Sequence, residues 1–447
     1  MAQTSRSADL TSGPMLQKII LFSIPLAASS ILQLLFNAAD VVVVGRFAGS
    51  TALAAVGSNG SLINLLVNLF VGLSLGANVV AARCFGAKDE RGVQNTVQTS
   101  VTLGLVSGVL LAVVGFFAAR GLLELMSCPE DVIDLSALYL KIYFIGMPMT
   151  MLYNFSSALL RAVGDTKRPL YCLAAAGIIN VVLNLVFVIV CDLDVAGVAL
   201  ASIISQYLSA IFLTAALFRN REAYGLSPKL LRLHRKNCRE ILTLGIPSGL
   251  QNAIFYIANM FIQAGVNSFD TVMVAGNSAA ANADGLVYDV MAAFYTACSS
   301  FIGLNYGAGR RREIRRSYLI CLGYSFGVGA ILGFSLVAFG PAFLTLFTTD
   351  AAVIEAGMKR LTIMGFSYCV SAFMDNAIAG CRGLGKSLVP MVIVISGSCI
   401  FRILWVMTVF AWFKTIPSLY LVYIFSWSIT AAFENWYFFR CYRKLPA

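Results

Sequence analysis

Between Ile19 and Gly45 the chain reads IILFSIPLAASSILQLLFNAADVVVVG, an apolar or small-residue run of 26 positions up to Val44. As an α-helix rising about 1.5 Å per residue, such a run crosses a hydrocarbon layer about 30 Å thick with some tilt. No other feature constrains the fold so strongly. In hydrocarbon every backbone N–H and C=O must be paired, so the run reads as a membrane-spanning helix. One position departs from it. Asp40 is a carboxylate where a charge is costly, and such a residue faces a partner or a cavity. Asn37 precedes it by three residues, on the same helical face, and Pro25 lies about four turns earlier, where a kink is expected. Two readings of Asp40 stand at this point: a cap near the far interface, or an ion or substrate site inside a bundle.

Eleven further apolar segments follow. The twelve spans are 19–44, 53–80, 95–119, 139–160, 169–190, 197–218, 241–267, 275–301, 317–346, 361–379, 389–413 and 418–439. Charged residues make up 12% of the 447 positions and apolar ones 59%, against about a quarter charged in soluble domains. The polar first 15 residues, and a first apolar run too long for a signal core, predict no cleaved leader. The eleven cysteines are scattered without Cys-x-x-Cys pairs, and Cys172, Cys321 and Cys399 lie inside apolar runs. They read as small hydrophobes, predicting neither disulfides nor a metal cluster.

The net charge of +11 is read as a record of topology rather than as a nucleic-acid surface. The N-terminus, the even-numbered connections and the C-terminus hold 25 of the 32 Lys and Arg. The odd-numbered connections and their helix edges hold six: Arg46, Arg120, Lys141, Lys359, Arg360 and Lys414. The remaining one, Arg402, is inside segment eleven. By the positive-inside rule both termini are cytoplasmic. The resulting plan is a cytoplasmic N-terminus (1–18), a six-helix bundle (19–218), a cytoplasmic linker (219–239), a second six-helix bundle (240–439) and a cytoplasmic C-terminus (440–447).

The two halves are repeats. Ser23-Ile24-Pro25 is echoed by Gly245-Ile246-Pro247, and Phe85-Gly86-Ala87 by Tyr306-Gly307-Ala308. LLELMSCPEDVID (122–134) aligns without a gap on FLTLFTTDAAVIE (343–355). Arg161, Gly164 and Pro169 recur 221 residues later as Arg382, Gly385 and Pro390. Six segments per repeat is an even number, so the halves share one orientation. The fold class read from this is all-α and integral to the membrane, with twelve transmembrane helices in two six-helix bundles. A pseudo-two-fold axis along the membrane normal relates the bundles, a design suited to alternating access.

The chain resembles the multidrug and toxic compound extrusion (MATE) transporters over almost its whole length. The residues that carry the likeness are the Pro25…Asp40…Gly45 spacing, NVVAARCFGAKD (78–89), ALLRAVGDTKRP (158–169), NVVLNLVFV (180–188), VAGVALASIISQ (195–206) and CRGLGKSLVP (381–390). The resemblance implies a V-shaped exporter driven by Na⁺ or H⁺, working on organic cations or amphipathic small molecules in the plasma membrane. It also implies a cation site in the N-terminal bundle at positions matching Asp40, Asn180, Asn184 and Ser202. Some members carry Asp at the position of Asn184, so Asp40 is the only carboxylate of that group here. Asn180 and Asn184 share a helix face, and their oxygens suit a hard cation. Helix–helix hydrogen bonding is the competing reading. No cofactor is expected, no metal beyond a Na⁺ at Asp40, no nucleic-acid partner, and a monomer.

The second half has its own polar set: Asp284, Asp289, Asp375, Arg402 and Glu434. Asp40 has no acidic echo, since position 262 is Ile and 263 is Gln. Asp375 has two readings, a cation-coupling carboxylate or, like Glu434, a structural counter-charge for Arg402. Gln251, Asn252, Asn259 and Gln263 form a stripe at helical spacing, expected to face a cavity. Asn37, Gln251, Asn252, Asp284, Asp289 and Asp375 are therefore the further site candidates. GCRGLGKS (380–387) matches the phosphate-loop pattern, but that loop needs a strand before it. Here it joins two membrane helices. No nucleophile–base set assembles around His234, the only histidine, so an enzyme is not expected. Two other functions remain open: a flippase for a lipid-linked or amphipathic metabolite, which would line its cavity with basic residues, and a membrane enzyme or scaffold without flux.

Overall fold

A computed structural model of the chain describes residues 14–126, 128–219, 224–226 and 231–446. The expected N-terminal segment before Pro14, the linker stretches 220–223 and 227–230, Ser127 and Ala447 lie outside the described residues. The described chain is helical almost throughout. In order the helices are α1 (Met15–Ala48), α2 (Gly49–Gly86), α3 (Glu90–Leu125), α4 (Glu130–Ile145 and Met147–Ala162), α5 (Lys167–Val190) and α6 (Asp194–Phe218). After the linker come α7 (Arg235–Val266), α8 (Thr271–Gly307), α9 (Arg311–Leu344), α10 (Ala351–Gly383), α11 (Leu388–Phe413) and α12 (Ile416–Arg443).

Ten of these are long and apolar enough to cross a membrane. The two pieces of α4 form one broken span, bent by 48° at Gly146. The bend has a local cause, since Pro148 sits at the start of the second piece and has no N–H to continue the ladder. The twelfth, α10, is 33 residues long but too polar to pass on composition alone. It holds Lys359, Arg360 and Asp375 within its length.

Helices α3, α8, α10 and α12 start where short polar side chains satisfy free N–H groups of the first turn. Asp89 accepts from Gly92 N at 2.9 Å, Asp270 from Met273 N at 2.8 Å, and Asp350 from Ala352 N at 2.9 Å. Thr415 and Ser418 form a reciprocal capping box at the head of α12. Helix α1 runs through Pro25 and closes on a wide i→i+5 turn at Val44–Ala48.

Backbone geometry repeats with the 221-residue offset. Gly164 N donates to Arg161 O at 3.0 Å, and Gly385 N to Arg382 O at 2.8 Å. Asp165 N reaches Leu160 O at 2.9 Å, and Lys386 N reaches Cys381 O at 2.9 Å. Gly164 and Gly385 take φ of 91° and 76°, the left-handed region that glycine enters without strain. The turn after α2 repeats in the same way: Lys88 N donates to Phe85 O at 3.1 Å, and Gly309 N to Tyr306 O at 3.1 Å. The phosphate-loop look-alike is one of these turns, the C-cap of α10, with its backbone donors spent on the helix end.

The chain forms two compact units. The first is Ala28–Gly249, and the second is Leu250–Ala447 together with the start of α1 up to Ala27. They depart from the halves 19–218 and 240–439 at two matching places, each two residues after a repeat proline, Pro25 or Pro247. In the first unit, Ile241 and Leu244 of α7 share a core with Leu73, Ala77 and Val80 of α2. In the second, Phe22 of α1 meets Phe301 of α8 edge to face with centroids 5.5 Å apart. Ser317 of α9 donates to Met15 Sδ of α1 at 3.2 Å.

Candidate functional site

Asp40 is not a helix cap. Helix α1 continues to Ala48, so the carboxylate lies about two turns inside the helix end. Its bonds go to side chains of two other helices of the first unit. Asn184 of α5 donates from Nδ2 to Asp40 Oδ1, and Ser202 of α6 donates to Asp40 Oδ2 at 3.5 Å. The Asn184 amide also reaches Asn180 Oδ1 at 3.3 Å. Thus the four residues matched by resemblance stand together, although 144 and 162 positions separate Asp40 from its two direct partners. Close packing sets the register. A Cβ on Gly177 of α5 would lie 1.8 Å from the Phe36 ring of α1, so only glycine lets that ring rest against the backbone. Asp40 is one turn beyond Phe36, and Asn184 two turns beyond Gly177.

Among the described residues no cationic side chain pairs with Asp40, and its direct partners are one neutral amide and one hydroxyl. Asn184 Oδ1 is buried without a hydrogen-bond partner. Two tyrosines of α4, Tyr139 and Tyr143, are stacked with ring centroids 6.0 Å apart and lie within electrostatic range of the carboxylate. The oxygens of the group carry one negative charge, the kind of donor a hard cation or a proton takes, while Asn184 turns its amide nitrogen to the carboxylate. Asn37 is exposed and makes no bond to the group.

The second unit differs from expectation at several positions. Arg360, counted in the sequence as a helix-edge charge of an outer connection, lies inside α10 and is only 9% exposed. It is salt-bridged to Asp284 of α8, with Nε at 2.8 Å and Nη2 at 2.5 Å from Oδ2. Tyr368 donates to the other carboxylate oxygen. Arg360 Nη1 reaches Asn277 Oδ1 at 2.5 Å, which also accepts from Tyr420 at 2.7 Å. Asn277 in turn donates to Gln263 at 3.0 Å. Sequence reasoning missed Arg360, Asn277, Tyr368 and Tyr420. The signal lay in Asp350: read as an N-cap, it starts the helix at Ala351 and puts Arg360 more than two turns deep.

Among the described residues Arg402 makes no salt bridge to Asp375 or Glu434, and Asp375 acts on it only through the longer-range field. Fully buried, it donates to Ser426 Oγ at 3.2 Å and Asn259 Oδ1 at 2.8 Å. Its guanidinium lies 4.5, 4.7 and 5.7 Å from the ring centroids of Phe255, Tyr423 and Trp427. Aromatic faces attract a cation and replace part of its lost hydration. Arg382 Nη2 donates to the Gln251 side chain at 3.1 Å, and the Nε atoms of Arg161 and Arg382 are buried without a partner.

The polar stripe of α7 is therefore largely spent on holding neighbours: Gln251 on Arg382, Asn259 on Arg402, and Gln263 on Asn277. Asn252 is half-buried, and no bond ties it to these groups. Asp289 is half-buried and outside the Arg360 network. Asp375 has one carboxylate oxygen without a partner, and fully buried Glu434 has both. Arg382 acts electrostatically on both, and Arg402 on Asp375 as well.

The model of the MatE family matches residues 25–186 and again 247–408, two copies that coincide with the repeat. The chain belongs to the MatE family. MatE relatives include the probable multidrug resistance protein YpnP of Bacillus subtilis, 28% identical over 363 residues and 81% of each chain. The probable multidrug resistance protein NorM of Thermotoga maritima is 26% identical over 394 residues, covering 84% of this chain and 82% of its own. Among solved structures, a MOP superfamily transporter of Pyrococcus furiosus superposes with a TM-score of 0.92 at 22% identity over 99% of each chain. An outward-facing MATE transporter gives 0.92 over 100% of each. The MatE assignment makes this a multi-pass membrane protein of a transporter family, not an enzyme.

Proposed function

We propose that the protein is a cation-coupled antiporter that exports organic cations and related xenobiotics by alternating access. It acts as a monomer in the plasma membrane, with both termini in the cytoplasm. Na⁺ or H⁺ is the coupling ion, taken at Asp40, Asn180, Asn184 and Ser202. The observation that carries this reading is Asp40 itself, a carboxylate held between three helices of one unit with no cationic partner among the described residues. An entering ion supplies that charge, tightens α1 against α5 and α6, and so favours one of two arrangements of the unit. Substrate favours the other. Because such coupling is reciprocal, each drives the other out. One charge moving through 100 mV contributes about 2.3 kcal/mol. The relatives named for multidrug resistance support the substrate class. A flippase reading finds less support: Arg360 is neutralised in place by Asp284, and Arg402 is sealed among rings.

The test is efflux of a fluorescent organic cation in everted vesicles, with Na⁺ and pH gradients imposed separately. The wild type is expected to respond to one of them, and Asp40→Asn, expressed at the same level, to neither. The reading is falsified if Asp40→Asn matches the wild-type rate under both gradients. Orientation has its own check. A membrane-impermeant thiol reagent outside intact cells is expected to leave Cys238 and Cys441 unlabelled, and labelling of either would reverse the topology.

A further inference from the structure

In the second unit the start of α9 and the end of α12 meet. Arg311 donates from Nη2 to the Arg443 carbonyl at 3.4 Å, and its guanidinium sits over the Tyr442 ring at 5.1 Å. Around this junction the side chains of Arg312, Arg315, Arg316, Arg440, Arg443 and Lys444 are exposed. The α9 segment offers one carboxylate in return, Glu313, whose Oε2 is 3.8 Å from Arg316 Nη1.

Topology alone does not explain this density. The repeat-equivalent turn of the first unit, 88–95, holds Lys88, Asp89, Glu90 and Arg91, which cancel. Residues 309–316 hold five arginines and one glutamate on the same backbone turn. Both turns lie on one side of the membrane, so the positive-inside rule asks no more of the second than of the first. The depth of the patch is marked by Trp436, 58% exposed, with Arg440 over its ring at 5.3 Å. An exposed indole next to arginine is the usual furniture of the headgroup level. Phe433, one turn further into the membrane, is exposed as well.

We propose that the α9–α12 junction is a binding site for the phosphate headgroup of an anionic phospholipid of the cytoplasmic leaflet, with an acyl chain lying along Phe433 and Trp436. Arginine forks fit phosphate oxygens bidentately, and clustered cations beside a membrane helix attract anionic lipid. The leaflet rests on the orientation proposed above, whereas the binding does not. Labelling of Cys441 from outside would move the site to the other leaflet and leave the lipid result standing.

The test titrates the purified full chain, in detergent, with phosphatidylglycerol, phosphatidylcholine or soluble glycerol phosphate, reading bound lipid by native mass spectrometry. Phosphatidylglycerol is expected to bind well ahead of phosphatidylcholine, and glycerol phosphate not to displace it. The triple variant Arg312→Gln/Arg315→Gln/Arg316→Gln is expected to lose about fivefold in phosphatidylglycerol affinity per arginine and to keep its melting temperature. Removing the same charge from the linker, in Arg232→Gln/Arg235→Gln/Lys236→Gln, is expected to leave binding unchanged. The proposal is overturned if the α9 variant binds phosphatidylglycerol like the wild type. It is equally overturned if the linker variant loses as much, or if glycerol phosphate displaces the lipid, which would make this a soluble-anion site. Should the α9 triple prove unstable, Arg440→Gln/Lys444→Gln on α12 carries the same expectation.

Discussion

Asp40 in the first unit and Asp284 in the second are both carboxylates inside membrane helices, and the protein treats them in opposite ways. Asp284 is locked to Arg360, with Tyr368 on its other oxygen and Asn277 behind the guanidinium. Asp40 has one amide, one hydroxyl and, among the described residues, no fixed cation. A carboxylate neutralised by its own protein has nothing to exchange. One left with neutral donors must take its balancing charge from outside, and that charge can come and go. The asymmetry is set against repeat turns whose backbone bonds match almost atom for atom. Duplication thus left the scaffold symmetric while the charges diverged.

Breaking the locked pair is expected to have the largest effect on stability. Arg360→Met leaves Asp284, 14% exposed at its side chain, with Tyr368 but no counter-charge, a loss of about 3–5 kcal/mol, read as a fall in melting temperature of the detergent-purified protein. Adding Asp284→Leu is expected to recover more than half of it, because an apolar pair of similar size avoids the stranded charge. If Arg360→Met melts like the wild type, the pair is not buried as described and the contrast fails. Asp40→Asn is expected to do the reverse: gradient-driven efflux is lost while stability changes by less than about 1 kcal/mol, since an amide still bonds Ser202. A melting temperature that falls as far as that of Arg360→Met would make Asp40 a structural residue.

Next comes the packing that holds Asp40 in register. Gly177→Val drives a side chain into the Phe36 ring and is expected to cost about 1–3 kcal/mol. Efflux should fall with it, because α1 is pushed off α5 and Asp40 moves from Asn184. Efflux at the wild-type rate in this variant would separate the site from the α1–α5 contact. The smallest effect is expected at Asn37→Ala, within about 0.5 kcal/mol in stability and with efflux close to wild type, because Asn37 is exposed and outside the Asp40 group. An efflux defect as large as that of Asp40→Asn would enlarge the site toward the open face of α1.

Much of the fold was legible in the chain. Runs of apolar residues long enough to cross a bilayer, the prolines and the 221-residue repeat are local or periodic signals, and each has one physical reading in hydrocarbon. The helix ends were less so. Segment ten was drawn from 361 because its apolar run starts there, while the helix starts at Ala351 under the Asp350 cap. That shift of ten residues turned Arg360 from an edge charge into a buried one.

By itself, then, the sequence determined the number and order of the spans, their repetition and the sorting of charge between connections, because hydrophobicity and the positive-inside bias act on each segment separately. It also put Asp40 beside Asn180, Asn184 and Ser202 by resemblance, side chains that the structure links by hydrogen bonds. Only the tertiary structure decided which buried charge has a partner. Arg360 finds Asp284 across 76 positions, Arg402 is held by Ser426, Asn259 and aromatic rings rather than by a salt bridge to Asp375 or Glu434, and Asp40 finds no cationic partner among the described residues. The reason is geometric. A charge inside a membrane bundle can reach only what neighbouring helices turn toward it within a few ångströms, and the rotation of each helix is set by side-chain packing such as that of Gly177 on Phe36.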